Sequence, residues 1–247
     1  MILRAVKTDK IVQGRDLTEI LDRFLPDLSE NTVVVITSKV VSICEGRLVP
    51  RRSVAEDELI KQEADYVLPE NMLSKYIPLT IKDNTLIPAA GIDRSNSSGD
   101  YVLWPQNSQK TANEVRSYLK RRFKPHNIGV IITDSSAIPL RFGTIGVPLA
   151  YSGFSPFKDY KGQKDLFGFP LMAGRANIAG ALAAAAVAVM GEGTEQTPIT
   201  LISDVPFVEF RDSNPAPDEL QEYFVPPDKD RLFEPFFKSA PWQRSDR

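Results

Sequence analysis

The chain has 247 residues, 42% apolar and 25% charged, with a net charge of -2 and a pI near 5.6. This is ordinary globular composition, enough for one large domain or two small ones, and it lacks the basic balance that nucleic acid or an anionic membrane would demand. One cysteine, Cys44, excludes a disulfide framework, and one histidine, His126, allows a zinc site or a Ser-His-Asp triad only that single imidazole. Any metal would be held mainly by oxygen, which favours Mg or Mn.

The first ten residues carry Arg4, Lys7, Asp9 and Lys10 and lack the apolar run of a signal peptide. The pattern over 1–6 predicts a short strand. Leu17, Ile20, Leu21 and Phe24 have helical spacing over 16–24. Residues 32–37 include a β-branched run that reads as a buried strand, followed by a loop or second strand through Ser42, Glu45, Gly46 and Arg47. Ser53 and Glu56 form a capping-box pattern opening a helix to about Ala64. Strand-like pieces follow at 77–81 and 85–88, then a polar loop over 89–100 and a resumed strand at 101–103. An amphipathic helix is expected over 108–122, with Thr111, Val115, Tyr118 and Leu119 buried. A buried strand over 127–133 is expected to stop at Asp134, Ser135 and Ser136.

Residues 141–170 are rich in Gly, Pro and Phe and read as loops or short strands. The Ala-rich segment 174–190 reads as a buried helix, too short to span a bilayer, so a cytoplasmic protein is expected. A loop over 191–198 and a strand over 199–202 follow, and the last 20 residues read as a wrapping or partly disordered tail. Strands and helices mix without a βαβ rhythm, which implies an α+β fold.

The candidate chemistry lies where strands give way to loops. Asp134 follows the 127–133 strand directly, and Asp93 sits in a Gly-containing loop. Each alone is also an ordinary turn residue. Glu192 stands between Gly191 and Gly193 after the Ala-rich helix, a poor place for an anion unless it has a task. Ser38 and Lys39, after the 32–37 strand, offer a hydroxyl and a cation to a phosphate. No phosphate-cradling loop or dinucleotide fingerprint is present, so scattered loops plus metal would have to bind phosphate. Cys44 and the phenylalanines near 154–169 read as packing, and His126 as a surface residue.

Six segments then occur in a telling order: TSKVVSICEGR at 37–47, AGIDRSN at 90–96, GVIITD at 129–134, RFG at 141–143, KDYKGQKDLFG at 158–168 and MGEG at 190–193. Together they resemble the coenzyme F420-0:γ-glutamyl ligase family over roughly 1–210, leaving 211–247 as an extension. The resemblance implies an α+β fold in an intertwined homodimer. It also implies amide-bond formation driven by a nucleoside triphosphate, GTP or ATP, with Mg or Mn. Asp93, Asp134 and Glu192 would bind metal together with the Ser135 hydroxyl. Asn96, Ser38, Lys39, Gly191 and Gly193 would face the nucleotide, and Arg141 would orient a carboxylate or phosphate.

The sequence also departs from the family pattern. Ile43 replaces a Lys, Ser136-Ala137-Ile138 replaces a polar run, and Ala176-Asn177-Ile178 replaces Ala-Asp-Glu. The substrates implied are L-glutamate, the nucleotide and an acceptor of either F420-0 or folate type. The alternative is a nucleotide- or cofactor-binding homologue that has lost catalysis.

Overall fold

A computed structural model describes residues 1–69 and 77–245. In chain order the elements are β1 (Ile2–Val6), α1 (Leu17–Phe24), β2 (Thr32–Thr37), α2 (Ser38–Cys44), β3 (Leu48–Pro50), α3 (Glu56–Glu63), β4 (Tyr66–Val67), β5 (Leu79–Lys82), β6 (Thr85–Pro88), β7 (Asp100–Val102) and α4 (Ser108–Phe123). They continue with β8 (Ile128–Ala137), β9 (Thr144–Ser152), β10 (Phe157–Asp159), β11 (Arg175–Asn177), α5 (Ile178–Met190), β12 (Ile199–Ser203), α6 (Pro217–Tyr223), α7 (Glu234–Ser239) and β13 (Gln243–Arg244).

The main sheet has the order β1-β12-β2-β8-β9, with β2 and β8 parallel and the other pairs antiparallel. Its central strands are buried on both faces, which is why they read as unbroken apolar runs. Val34, Ile36, Val130 and Ile132 pack with α1, α2 and α4, while Val33, Val35 and Ile131 pack with α5. A smaller part holds the sheet β13-β4-β5-β6, the pair β3-β7 and α3, with its own apolar cluster around Ile60, Ala90 and Leu103. The fold is α+β with mixed sheets, as the element pattern implied.

Several local expectations are corrected. Residues 38–44 form helix α2, not a loop or strand: Val40 and Val41 are drawn into the core under β2, and Gly46, at φ 72°, follows the helix end in the left-handed region. The Ser53 capping box does not form. Ser53 Oγ donates to Pro50 O at 2.7 Å, and α3 begins after Ala55 with Glu56, Asp57 and Glu58 in its first turn. In α4 the buried stripe is Ala112, Val115, Arg116 and Leu119. The Arg116 guanidinium escapes isolation by donating to the Arg211 carbonyl at 2.9 Å and pairing with Asp212 at 3.0 Å.

Strand β8 does not stop at Asp134 but runs to Ala137, because β9 pairs with it along its length. The register shifts between Ile132 and Thr133, so Leu149 is the extra residue of a bulge beside Asp134. Pro148 is tolerated there because β9 is an edge strand. Helix α5 starts at Ile178 rather than at 174, capped by Asn177 Oδ1 accepting from Gly180 N at 2.8 Å, and β11 precedes it. In the C-terminal segment, α6 packs Leu220 and Tyr223 on the α5 side of the main sheet, and β13 adds an edge to β4.

Candidate active site

A cleft of about 550 Å3 opens where the C-terminal end of β2 and the adjoining stretch of β8 meet the loop after α5. β2 ends there, with Thr37 paired to Thr133, while β8 continues to Ala137, so Asp134 lies beside the start of α2. Open sheets of this kind place ligands at such strand ends. The 89–99 loop of the smaller part closes one wall, and residues 8–12 and 191–198 form the rest.

Asp93 is held rigidly. Its backbone exchanges two 2.9 Å hydrogen bonds with Val102, and its carboxylate accepts from Ser95 N at 2.6 Å. Lys39, on the first turn of α2, places its ammonium 2.5 Å from Asp93 Oδ2 and 2.9 Å from Ser95 Oγ. Burial would raise the Asp93 pKa, but the Lys39 and Ser95 contacts outweigh it and hold the carboxyl below the usual range. Asp134 behaves oppositely. Burial pushes its carboxyl up to about 6, the nearby Asp93 charge adds to that, and hydrogen bonds from Trp104 and Ser135 oppose it. Two carboxylates with pKa values driven apart, beside one ammonium, are the arrangement expected of a working site.

The 191–198 loop supplies the other wall. Glu192 accepts from Ser135 Oγ at 3.1 Å and from Thr144 Oγ1 at 3.3 Å. Asn96, in the left-handed region at φ 54°, donates to Gly193 O at 3.0 Å and so ties the Asp93 loop to this one. Gly193 N donates to Glu195 Oε2 at 2.8 Å. Gly191 takes φ 78° and ψ 169°, a backbone conformation that strains any residue with a side chain and so favours glycine.

The structure thus brings Lys39, Asp93, Asn96, Asp134, Ser135, Gly191, Glu192 and Gly193 to one cleft. It does not bring Ser38, which is buried at 3% exposure outside the lining, or Arg141, which is exposed in the turn between β8 and β9. His126 is exposed just before β8, at the far end of the strand from Asp134. Ile43 lines the cleft as an apolar wall with Val40 and Met190.

The donors at the cleft are oxygens of carboxylates and a hydroxyl, which by type suit a hard divalent ion. Among the described residues, no three His, Cys, Asp or Glu side chains converge as a ready-made metal cluster. Asp93 and Asp134 share Lys39 as neighbouring cation, while Glu192 is engaged by hydroxyls. The pair fits a cation by charge and donor type; Glu192 joins it only through the Ser135 link.

Trp104, Thr144 and Glu195 were not singled out in the sequence. Trp104 reads as one more apolar residue after a strand, although a buried indole normally needs an acceptor for its N–H. Thr144 lies on a strand hidden by Gly143, Gly146 and Pro148, and Glu195 in a polar loop carries no distinguishing pattern.

The family model described as F420-0:Gamma-glutamyl ligase matches residues 5–204. The chain belongs to this family. Among its relatives are proteins named coenzyme F420:L-glutamate ligase. The one from Methanococcus maripaludis is 32% identical, covering 79% of this chain and 84% of the relative. The one from Methanopyrus kandleri is 30% identical, covering 78% and 82%, and the one from Haloarcula marismortui 29%, covering 88% and 89%. The family match spans the main sheet and the cleft but stops before α6, so the segment carrying α6, α7 and β13 lies outside it. Among the described residues no helix is long and apolar enough to cross a membrane.

Proposed function

We propose that this chain is a ligase that joins the amine of L-glutamate to a carboxylate at the end of an acceptor cofactor's tail, using GTP or ATP with Mg or Mn. Family membership and the relatives' names support an F420-0-type acceptor. The observation that carries the reading to these residues is the Lys39–Asp93 pair beside Asp134, opening on a cleft large enough for a small-molecule substrate.

In this reading an acceptor carboxylate oxygen attacks the γ-phosphorus. The bond to the bridging oxygen breaks, nucleoside diphosphate leaves, and the acceptor becomes an acyl phosphate. The glutamate amine then attacks the acyl carbon, loses a proton and displaces phosphate. Lys39 sets a fixed positive charge against the anionic reactants, and Asn96 holds the two cleft loops at one spacing. Asp93 and Asp134, with Glu192 and Ser135 beside them, would hold Mg or Mn, which would supply charge neutralisation at the phosphates. The apolar wall of Ile43, Val40 and Met190 gives a flat ring system a surface to lie on.

Ile43, standing where the family pattern has Lys, favours a second reading of the acceptor as a folate, whose tail also carries γ-glutamyl linkages. One incubation separates these. Protein, Mg or Mn, GTP or ATP and glutamate are combined with either F420-0 or tetrahydrofolate, and product mass is measured. A gain of one glutamyl unit on either acceptor supports the ligase and names the acceptor. Tight binding with no mass gain on both sinks it in favour of a binding protein.

A second copy of this chain is the proposed partner. Leu140 and Phe142 in the β8–β9 turn, and Leu166, Phe167, Phe169 and Met172 in the following loop, are at least 70% exposed in the single chain. Large apolar side chains left this exposed are what an interface covers.

A further inference from the structure

Behind the Asp134 wall of the cleft lies a buried side chain that the mechanism above does not use. Trp104 is 3% exposed and does not line the cleft. Its indole Nε1 donates to Asp134 Oδ2 at 2.6 Å, a short bond of the charge-assisted kind. The ring is held from every side. Its own carbonyl accepts from Arg47 Nε at 3.0 Å. The Lys82 ammonium, itself 1% exposed, sits 5.5 Å from the ring centroid. Lys82 and Arg47 both pair with Glu63, at 2.5 and 2.8 Å, so one carboxylate anchors the cation on the indole face and the cation bonded to the Trp104 carbonyl. Gly91, at φ 71°, lies so close that an added Cβ would fall inside the ring.

Each contact has a consequence at Asp134. A cation against the indole face draws electron density from the ring and makes its N–H a stronger donor. The Gly91 contact ties the indole to the loop that carries Asp93. Trp104 is therefore a second physical link, beside Lys39, between the two acidic residues of the cleft, which come from different parts of the fold.

We propose that Trp104, backed by the Arg47–Glu63–Lys82 cluster, is a positioning residue that fixes the orientation of the Asp134 carboxylate at the cleft. The metal role of Asp134 belongs to the function proposed above, and this inference rests on that reading only for its effect on metal affinity. Partners that orient a ligating carboxylate typically contribute 10–100-fold to metal affinity or activity.

The test uses Mn2+ binding followed by electron paramagnetic resonance, with a non-hydrolysable GTP or ATP analogue present. W104F keeps an aromatic ring in the site and removes the donor. It is expected to bind Mn2+ about 10–100-fold more weakly than wild type while melting within a few degrees of it. Equal Mn2+ affinity in W104F and wild type would overturn the proposal. Should wild type bind no Mn2+, the metal reading fails, and the positioning claim is then decided by the indole 15N–1H resonances. The same measurement decides it if W104F does not fold. Trp242, whose buried Nε1 has no hydrogen-bond partner among the described residues, is the internal reference. A Trp104 resonance downfield of Trp242 that moves upfield in D134N supports the proposal, and one that D134N leaves unmoved overturns it.

Discussion

Asp134 shows what a buried carboxylate does to the protein that carries it. In the unfolded chain its pKa is near 3.9, and in the metal-free fold burial lifts it to about 6. The folded state therefore holds this proton more tightly than the unfolded state does. The ionised side chain costs stability at every pH above about 6, and that cost disappears as pH falls from 6 toward 4. With a discount for partial exposure, the cost is about 1–2 kcal/mol. Asp134→Asn removes it. The variant is expected to melt a few degrees above metal-free wild type at pH 7.5, with the gap narrowing below pH 6 and closing near pH 4. A melting curve at or below wild type at pH 7.5 would contradict this. At the residue scale the sequence was informative about Asp93, Asp134, Asn96 and Glu192 because their order along the chain matched a known pattern. It was silent about Trp104, whose role depends on packing against Gly91 and Lys82, contacts that bring residues 13 and 22 positions apart together.

At the scale of elements, the central strands were legible because burial on both faces leaves an unmistakable apolar run. Two elements beside the site were not. Residues 38–44 carry β-branched residues that favour strands, and only the core contacts of Val40 and Val41 make them helical. Strand β9 is broken in sequence by Gly146 and Pro148, and both have structural reasons. Pro148 sits next to the bulge on an edge strand. Gly146 lets β9 approach α5 so closely that an added Cβ would strike the Ala183 carbonyl and Val187. Gly146→Ala is expected to push β9 from α5 and lower stability by about 1–3 kcal/mol, read from the shift in denaturation midpoint. Because Ser135 pairs directly with Gly146, Thr144 stands two residues before it on β9, and both hold Glu192, the loss should be larger than a surface Gly→Ala change allows. No change in midpoint would show that β9 and α5 have slack.

At the scale of the whole molecule, the two parts of the fold each deliver one half of the cleft. The main sheet supplies Lys39 and Asp134, the smaller part supplies Asp93 and Asn96, and the 191–198 loop is tied to both. The α+β class was readable from the element pattern, but the meeting of two parts at one cleft was not, since it depends on long-range contacts. The exposed Phe142 and Phe167 belong to this scale too. If a second copy covers them, wild type sediments as a dimer and the double change Phe142→Asp with Phe167→Asp yields monomer. A monomeric wild type would remove the homodimer from the account. The claim that matters most is that this cleft ligates glutamate. The most direct measurement is the product mass after wild type and Asp134→Asn are incubated side by side with nucleotide, Mg or Mn, glutamate and each acceptor. The account predicts an acceptor heavier by one glutamyl unit with wild type and an unchanged acceptor with the variant. Equal product from both proteins, or none from wild type, would contradict it.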